Sequence, residues 1–297
     1  MILLTGASGF VGSNLARELL EKGERIGCLL REPKRPGHLA PAPGVEIVKG
    51  DVTDKGSILV ALEGGSIDTV VHLVGILAEH GTQTFRRIHV EATRNMVDAC
   101  QERGIKRYIH MSALGTREGA LSEYHRTKWA AEEVVRSSGL NYTIFRPSVI
   151  FGREDKFTNL FAGIMKRSPL VIIPGSGRNR MQPLFIDDLI KAMVIAIKEG
   201  GHEGRVYEVG GPEQFTFYEI IDMIGKATGR RRFKVPLPMP LMRPAAVLAG
   251  IFISPPPITR DQLLMLEEDN VTEVNALTEV FGIAPTGFEE GMRRYLH

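Results

Sequence analysis

An apolar run of strand length, Met1–Thr5, passes at once through Gly6-Ala7-Ser8-Gly9-Phe10-Val11-Gly12 into a segment of helical period, Phe10–Lys22. Three glycines between a strand and a helix restrict the fold more than any other feature of the chain. Gly6 permits a tight turn and Gly9 lets the backbone approach a pyrophosphate. Gly12 lets helix pack closely on strand, which aims the helix N-terminus at an anion. Ser8, Phe10 and Val11 complete the candidate cradle. An ordinary glycine-rich turn is the competing reading, and the agreement of strand, turn and helix in this order argues against it.

The alternation continues beyond the cradle. Strand-length runs at Arg25–Leu30, Val45–Lys49, Thr69–Val74, Arg107–Ser112 and Tyr142–Pro147 are interleaved with helical periods at Lys55–Glu63, Phe85–Arg103 and Tyr124–Ser138. Repeated strand–helix units imply a parallel sheet covered on both faces. Past Phe151 the rhythm turns irregular and proline-bearing. Three helix starts stand out there as capping boxes, Thr216 with Glu219, Thr259 with Gln262 and Thr286 with Glu289. The predicted class is α/β: a Rossmann-type doubly wound parallel sheet with a smaller, mostly helical C-terminal lobe closing over the carboxyl edge. Residues 1–150 form the dinucleotide domain, about 175–211 add to it, and 151–297 make a discontinuous substrate or partner lobe.

Arg31 stands at the end of the second strand, about 20 residues after the glycines, where an NAD site places a carboxylate against the ribose 2′-hydroxyl. A guanidinium cannot accept that hydroxyl but suits a 2′-phosphate, and Lys34 and Arg35 add charge, so NADP(H) is expected over NAD(H). Surface charge after a strand is the alternative. Gly50-Asp51-Val52 ends the third strand, with Asp51 expected to accept from the adenine amine and Val52 to pack on the ring. A turn-forming aspartate is the rival role. Leu73, Val74 and Gly75 end the fourth strand at the same edge and are expected to flank the cofactor.

Tyr124 and Lys128 are four residues apart, one turn on one helix face. The spacing is weak evidence alone, since Lys128 could simply pair with Glu132. Ser112 supplies context by ending the fifth strand where a nicotinamide should lie. An ammonium beside the phenol should lower its pKa toward a range useful for proton transfer, with Ser112 polarising the reacting oxygen.

TGASGFVG, GDV, HLVG, the serine of YIHMSALG, YHRTK and FRPSVIFG followed by LFIDDL together resemble the extended and atypical short-chain dehydrogenase/reductases, the NAD-dependent epimerase/dehydratase superfamily, over almost the whole chain. Arg31, the LVGIL run and the tail PLPMPLMRPAAV…ITRDQLLMLEEDNV…GFEEGMRRYL look most like the branch containing the nucleotide-binding accessory subunit of respiratory complex I, with quinone-biosynthesis relatives. The resemblance implies Tyr124 as acid/base, Lys128 holding the nicotinamide ribose, Ser112 orienting substrate and Pro147 beside the nicotinamide. Two departures stand out. His89 replaces the usual helix asparagine, and its bland role is a neutral hydrogen-bonding core histidine. Ala113-Leu114 after Ser112 lacks the acidic pair of sugar-nucleotide dehydratases, which argues against dehydration.

Composition removes several other classes. At 297 residues and 43% hydrophobic content the chain can bury a sizeable core. A net charge of +2, with basic residues scattered apart from Arg230-Arg231-Arg232, argues against nucleic acid, and the triplet reads as a solvated helix end. Cys28 and Cys100 cannot build a disulfide framework and lack metal-ligand spacing, so a reducing, cytoplasmic setting is expected, with no metal. The start lacks a signal-peptide pattern. The apolar stretch within 239–258, broken by prolines, is too short to span a bilayer and is a candidate contact for a membrane surface, at its inner face, or for a protein partner.

Two functions follow. One is an NADP(H)-dependent oxidoreductase or epimerase acting on a small carbonyl or alcohol substrate that the sequence does not name. The other is an accessory or redox-sensing protein in which NADPH is structural. The paired long helices fit a dimer or a monomer.

Overall fold

The computed structural model describes residues 1–33, 43–63, 66–242, 244 and 258–296. The strands of the first half are β1 (Ile2–Thr5), β2 (Ile26–Leu30), β3 (Val45–Lys49), β4 (Thr69–His72), β5 (Arg107–Met111) and β6 (Asn141–Pro147). Between them run helices α1 (Phe10–Glu21), α2 (Lys55–Ala61), α3 (Ala92–Glu102) and α4 (Glu123–Arg136). Residues 85–103, expected as one helix, begin as a π-helix, Arg86–Glu91, that leads into α3.

A seven-stranded sheet has the order β11-β6-β5-β4-β1-β2-β3, where β11 is Arg205–Val209. Each pairing from β3 through β6 is parallel. Because β1 lies between β2 and β4, the chain changes direction across the sheet at β1, and ligands of such folds sit beyond the carboxyl ends of the strands at that point. Every residue of β1, β2 and β4 is buried, as expected of strands covered on both faces. Leu3, Ile58, Val70, Met96, Tyr108 and Ile144 belong to one apolar cluster.

The chain divides into two compact units. The first holds Met1–Gly119, Tyr124–Arg146 and Ile190–Tyr207; the second holds Ala120–Glu123, Pro147–Leu189 and Glu208–His297. In the second unit the irregular, proline-bearing stretches form three two-stranded pairs: β7 (Ile150–Phe151) with β10 (Leu184–Phe185), β8 (Leu170–Pro174) with β13 (Phe233–Leu237), and β9 (Arg180–Met181) with β12 (Phe215–Thr216). Its longer helices are α5 (Thr158–Arg167) and α7 (Phe217–Ala227), followed by short ones at Arg260–Met265, Ala276–Glu279 and Phe288–Arg293, while α6 (Ile186–Lys198) has most of its residues in the first unit. Phe151 packs on Phe288 edge to face at 4.8 Å. A Cβ at Gly291 would come within 2.6 Å of the Phe151 ring, so glycine is what lets the last helix close on this core.

Two of the three capping boxes form. Thr216 and Thr259 accept from the backbone N–H groups of Glu219 and Gln262, whose side chains reach back to the cap. The third is corrected, since Gly287 is the N-cap of Phe288–Arg293 and makes no side-chain cap bond. The Thr286 N–H donates to Asp188 at 2.6 Å, and Glu289 is drawn to Lys226 and Arg293. No helix among the described residues is long and apolar enough to cross a membrane.

Candidate nucleotide site and the Tyr124–Lys128 pair

The turn from β1 to α1 is a close fit of backbone to backbone. Gly6 has φ +72, and a Cβ there would meet the Leu73 and Val74 backbone at 3.1–3.2 Å. At Gly12 a Cβ would lie 2.2 Å from the Gly6 carbonyl oxygen and 2.7 Å from the Ala7 Cα, so only glycine lets α1 start here. Gly9 caps α1 with no side-chain hydrogen bond, and no acidic residue lies in the first turn. The helix start around Ser8, Phe10 and Val11 therefore offers N–H groups without intrahelical partners, under the positive end of the helix dipole. A dinucleotide diphosphate fits this cradle.

A cavity of about 300 Å³ lies at the carboxyl ends of β2 and β3, lined by Arg31, Lys49, Gly50, Asp51, Asp54 and Ser57. Arg31 and Asp51, singled out in the sequence for opposite ends of one nucleotide, thus face a common space. Lys49 adds a second cation that sequence reasoning missed; its place as the last residue of β3 was the available signal. Asp51 also shapes its own turn, its Oδ1 accepting from the Thr53 N–H at 2.9 Å and hydroxyl at 3.0 Å. Both roles proposed for Asp51 are compatible, because Oδ2 carries no hydrogen bond among the described residues. Val52 does not line the cavity: its side chain belongs to the apolar core. Lys34 and Arg35 lie outside the described residues.

On α4, both Tyr124 and Lys128 are buried. The Lys128 ammonium donates to the Met111 carbonyl at 2.9 Å, and a Cβ at Gly75 would come within 3.1 Å of Nζ. Burial lowers the Lys128 pKa to about 8, opposed by the Glu132 carboxylate. Burial also pushes the Tyr124 phenol up to about 12, the reverse of the direction that an ammonium one turn away led us to expect. In a packed interior, loss of hydration outweighs the attraction.

His89 reaches this site from the π-helix. Its Nε2 accepts from the Ile76 N–H at 3.2 Å, which assigns the ring proton to Nδ1, and that N–H donates to the Thr127 hydroxyl at 2.9 Å. Thr127 in turn donates to the Tyr124 carbonyl at 3.1 Å. The ring meets Tyr124 edge on at 5.3 Å. Burial first, then the nearby Lys128 charge, holds the His89 pKa down at about 2, so the imidazole is neutral. His72 and His110, paired in register on β4 and β5, stack at 5.8 Å. The same two causes lower His72 to about 3 and His110 well below its usual range. Sequence reading missed both.

Ser112 follows β5, but its hydroxyl is engaged. It donates to Glu132 Oε1 at 2.5 Å, and Glu132, fully buried, also accepts from Arg136 at 2.6 Å and from Arg146 at 2.9 and 2.7 Å. With its only hydrogen given to a carboxylate, Ser112 is not a free donor for a substrate oxygen. Pro147 ends β6 and is buried. Cys28 and Cys100 are buried free thiols, pushed up to about 12 by burial. No cluster of metal-ligating side chains occurs among the described residues.

Known proteins resemble this chain in sequence and in fold. The family model described as NAD dependent epimerase/dehydratase family matches residues 2–210. The chain is 30% identical over 283 residues to the mitochondrial NADH dehydrogenase [ubiquinone] 1 alpha subcomplex subunit 9 of Arabidopsis thaliana, covering 92% of this chain and 68% of that protein. It is 28% identical over 277 residues to a 3 beta-hydroxysteroid dehydrogenase/Delta 5-->4-isomerase of Mycobacterium tuberculosis, covering 82% and 73%. The fold of Thermus thermophilus UDP-glucose 4-epimerase, solved with NAD, superposes with a TM-score of 0.75 at 20% identity, covering 98% of this chain and 96% of that one.

Proposed function

Because the chain belongs to the NAD dependent epimerase/dehydratase family, we propose that it is an NADP(H)-dependent oxidoreductase or epimerase-type enzyme acting on a carbonyl or alcohol substrate. The observation that carries the reading is the buried Lys128 ammonium, held on the Met111 carbonyl and against Gly75, one turn from a buried Tyr124. When bound, the nicotinamide would supply or accept hydride. The open N–H groups at the start of α1 hold the diphosphate, and Arg31 with Lys49 neutralises the 2′-phosphate. Leu73, Val74 and Gly75 flank the nicotinamide half. Tyr124 keeps its proton at neutral pH, which suits donation to a carbonyl oxygen, the reductive direction. Lys128 steadies the phenolate left behind. Ser112 contributes by fixing the end of β5 through Glu132.

Two experiments test this reading. Direct titration is expected to show tighter binding of NADPH than NADH, and Arg31→Ala to cost roughly 10- to 100-fold for NADPH alone, the worth of charge-assisted hydrogen bonds. Equal affinities for the two nucleotides would remove Arg31 from this role. Tyr124→Phe is expected to lower turnover of an identified carbonyl substrate by roughly 100-fold or more with nucleotide affinity kept. Intact turnover would end the assignment of Tyr124.

A second reading is favoured by the engaged Ser112 hydroxyl and by the likeness to the Arabidopsis subunit. In it NADPH is a structural ligand of an accessory or redox-sensing protein associated with respiratory or quinone-biosynthesis machinery. Residues 239–258 then meet a membrane-associated partner, although 243 and 245–257 lie outside the described residues. Nucleotide that copurifies and neither oxidises nor exchanges would select this reading. Buried free thiols suit a reducing, cytoplasmic setting under either one.

A further inference from the structure

The β8–β13 pair of the second unit has one face turned to the core and one to solvent. Val171 and Ile173 are buried, while Leu170, Ile172, Phe233 and Val235 are 48%, 54%, 77% and 41% exposed. The register sets Phe233 opposite Leu170 and Val235 opposite Ile172, so the four exposed side chains form one contiguous apolar face. The backbone groups between the two strands are satisfied by their ladder. What is left outside is hydrocarbon, and contiguous apolar surface of this kind marks contact with a partner or a membrane.

A set of cations borders this face. Lys166 and Arg167 end α5 and lead through Pro169 into β8, and Arg230-Arg231-Arg232 lead into β13. The Phe233 N–H donates to the Pro169 carbonyl at 3.0 Å and Arg232 Nε to the Met165 carbonyl at 2.8 Å, so the two basic segments enter side by side. Lys166, Arg167, Arg230 and Arg231 are exposed, and none pairs with a carboxylate among the described residues. Neither strand carries an acidic residue. Lys234, by contrast, is tied to Asp222 and lies over the Tyr218 ring.

We propose that the exposed β8–β13 face docks on an anionic lipid bilayer, with Phe233 and Ile172 entering the headgroup boundary and Lys166, Arg167, Arg230 and Arg231 meeting lipid phosphates. Charge complementarity selects this occupant. A second copy docked about a two-fold axis would set these unpaired cations near their own images, whereas an anionic leaflet neutralises them. This inference does not rest on the nucleotide reading.

Co-sedimentation of the full chain with vesicles tests it. Binding is expected to vesicles of phosphatidylglycerol and phosphatidylcholine in equal parts, to weaken with salt, and to be absent with phosphatidylcholine alone. The pair Arg230→Glu and Arg231→Glu should weaken it by roughly five-fold or more per cation. The pair Ile172→Asp and Phe233→Asp should abolish it with circular dichroism unchanged, because both side chains are exposed. Failure of the unaltered protein to sediment with the mixed vesicles overturns the proposal, with no variant needed. So does binding that survives both pairs of changes, or a dimer that Ile172→Asp with Phe233→Asp splits while no vesicle binding occurs.

Discussion

Lowering the pH from 7 toward 4.5 is expected to unfold the protein cooperatively, before most carboxylates titrate. In the folded chain His72 and His89 are held at about 3 and about 2, and His110 well below 6.5, by burial and by the Lys128 charge. Unfolding returns all three to ordinary histidine values. The unfolded chain therefore binds more protons below pH 6.5, and the stability these groups contribute is full above 6.5 and lost as the pH falls toward their folded values. As the pH falls below 6.5 the unfolded chain takes up protons on these three rings that the folded interior resists, so stability is lost at every further step down in pH. Folded domains have only about 5–15 kcal/mol in total.

His110→Leu tests the origin of this sensitivity. Neither ring nitrogen of His110 has a hydrogen-bond partner among the described residues, so an apolar replacement leaves nothing unpaired. The neutral-pH melting temperature should hold or rise, and the slope of stability against pH near 5 should fall by about a third, the share of one proton in three. Near-ultraviolet circular dichroism across a pH series reads both. A native signal that persists to pH 4 would show that the histidines charge in place.

Glu132→Ala is expected to be among the most destabilising single changes outside the apolar core, costing roughly 3–5 kcal/mol. The carboxylate has no exposed surface and receives Ser112, Arg136 and Arg146; its loss removes the acceptor these three groups share in a buried site. At roughly 2–4 °C per kcal/mol in a chain of this size, the melting temperature should drop by about 10 °C. Ser112→Ala removes one charge-assisted bond and should cost about 2 kcal/mol, clearly less. Trp129, the only tryptophan in the sequence, lies under the Arg136 and Arg146 guanidiniums at 4.8 and 5.7 Å, so its emission reports the same network. A Glu132→Ala protein no less stable than Ser112→Ala would mean that water reaches the carboxylate.

Much of the nucleotide half was legible because its signals are local. Gly9 and Gly12 are fixed by contacts within Gly6–Gly12 and Gly6 by its positive φ, although Gly6 also abuts the backbone of Leu73 and Val74, and the strand ends that carry Arg31 and Asp51 follow from apolar period. Local signals misled where a distant group competed for the same atom. Thr286 and Glu289 have the spacing of a capping box, but Asp188 and Lys226, far along the chain, take the groups that would close it. Val52 was expected at the ring of a nucleotide and is instead core, because period tells that a residue points inward without telling into which space.

By itself the sequence determined the alternation of strands and helices, the direction of the sheet and the glycine turn that opens the first helix, since each depends on side-chain period and glycine conformation within a few residues. The tertiary structure alone decided the chemistry around Lys128. His72, His89, His110 and Met111 come from three separate stretches of chain and meet Lys128 only after the sheet order β1-β4-β5 has formed. Whether a hydroxyl such as that of Ser112 faces a ligand or a buried carboxylate depends on which partners the fold delivers. Desolvation, which sets the pKa of every group there, is a property of the packed interior.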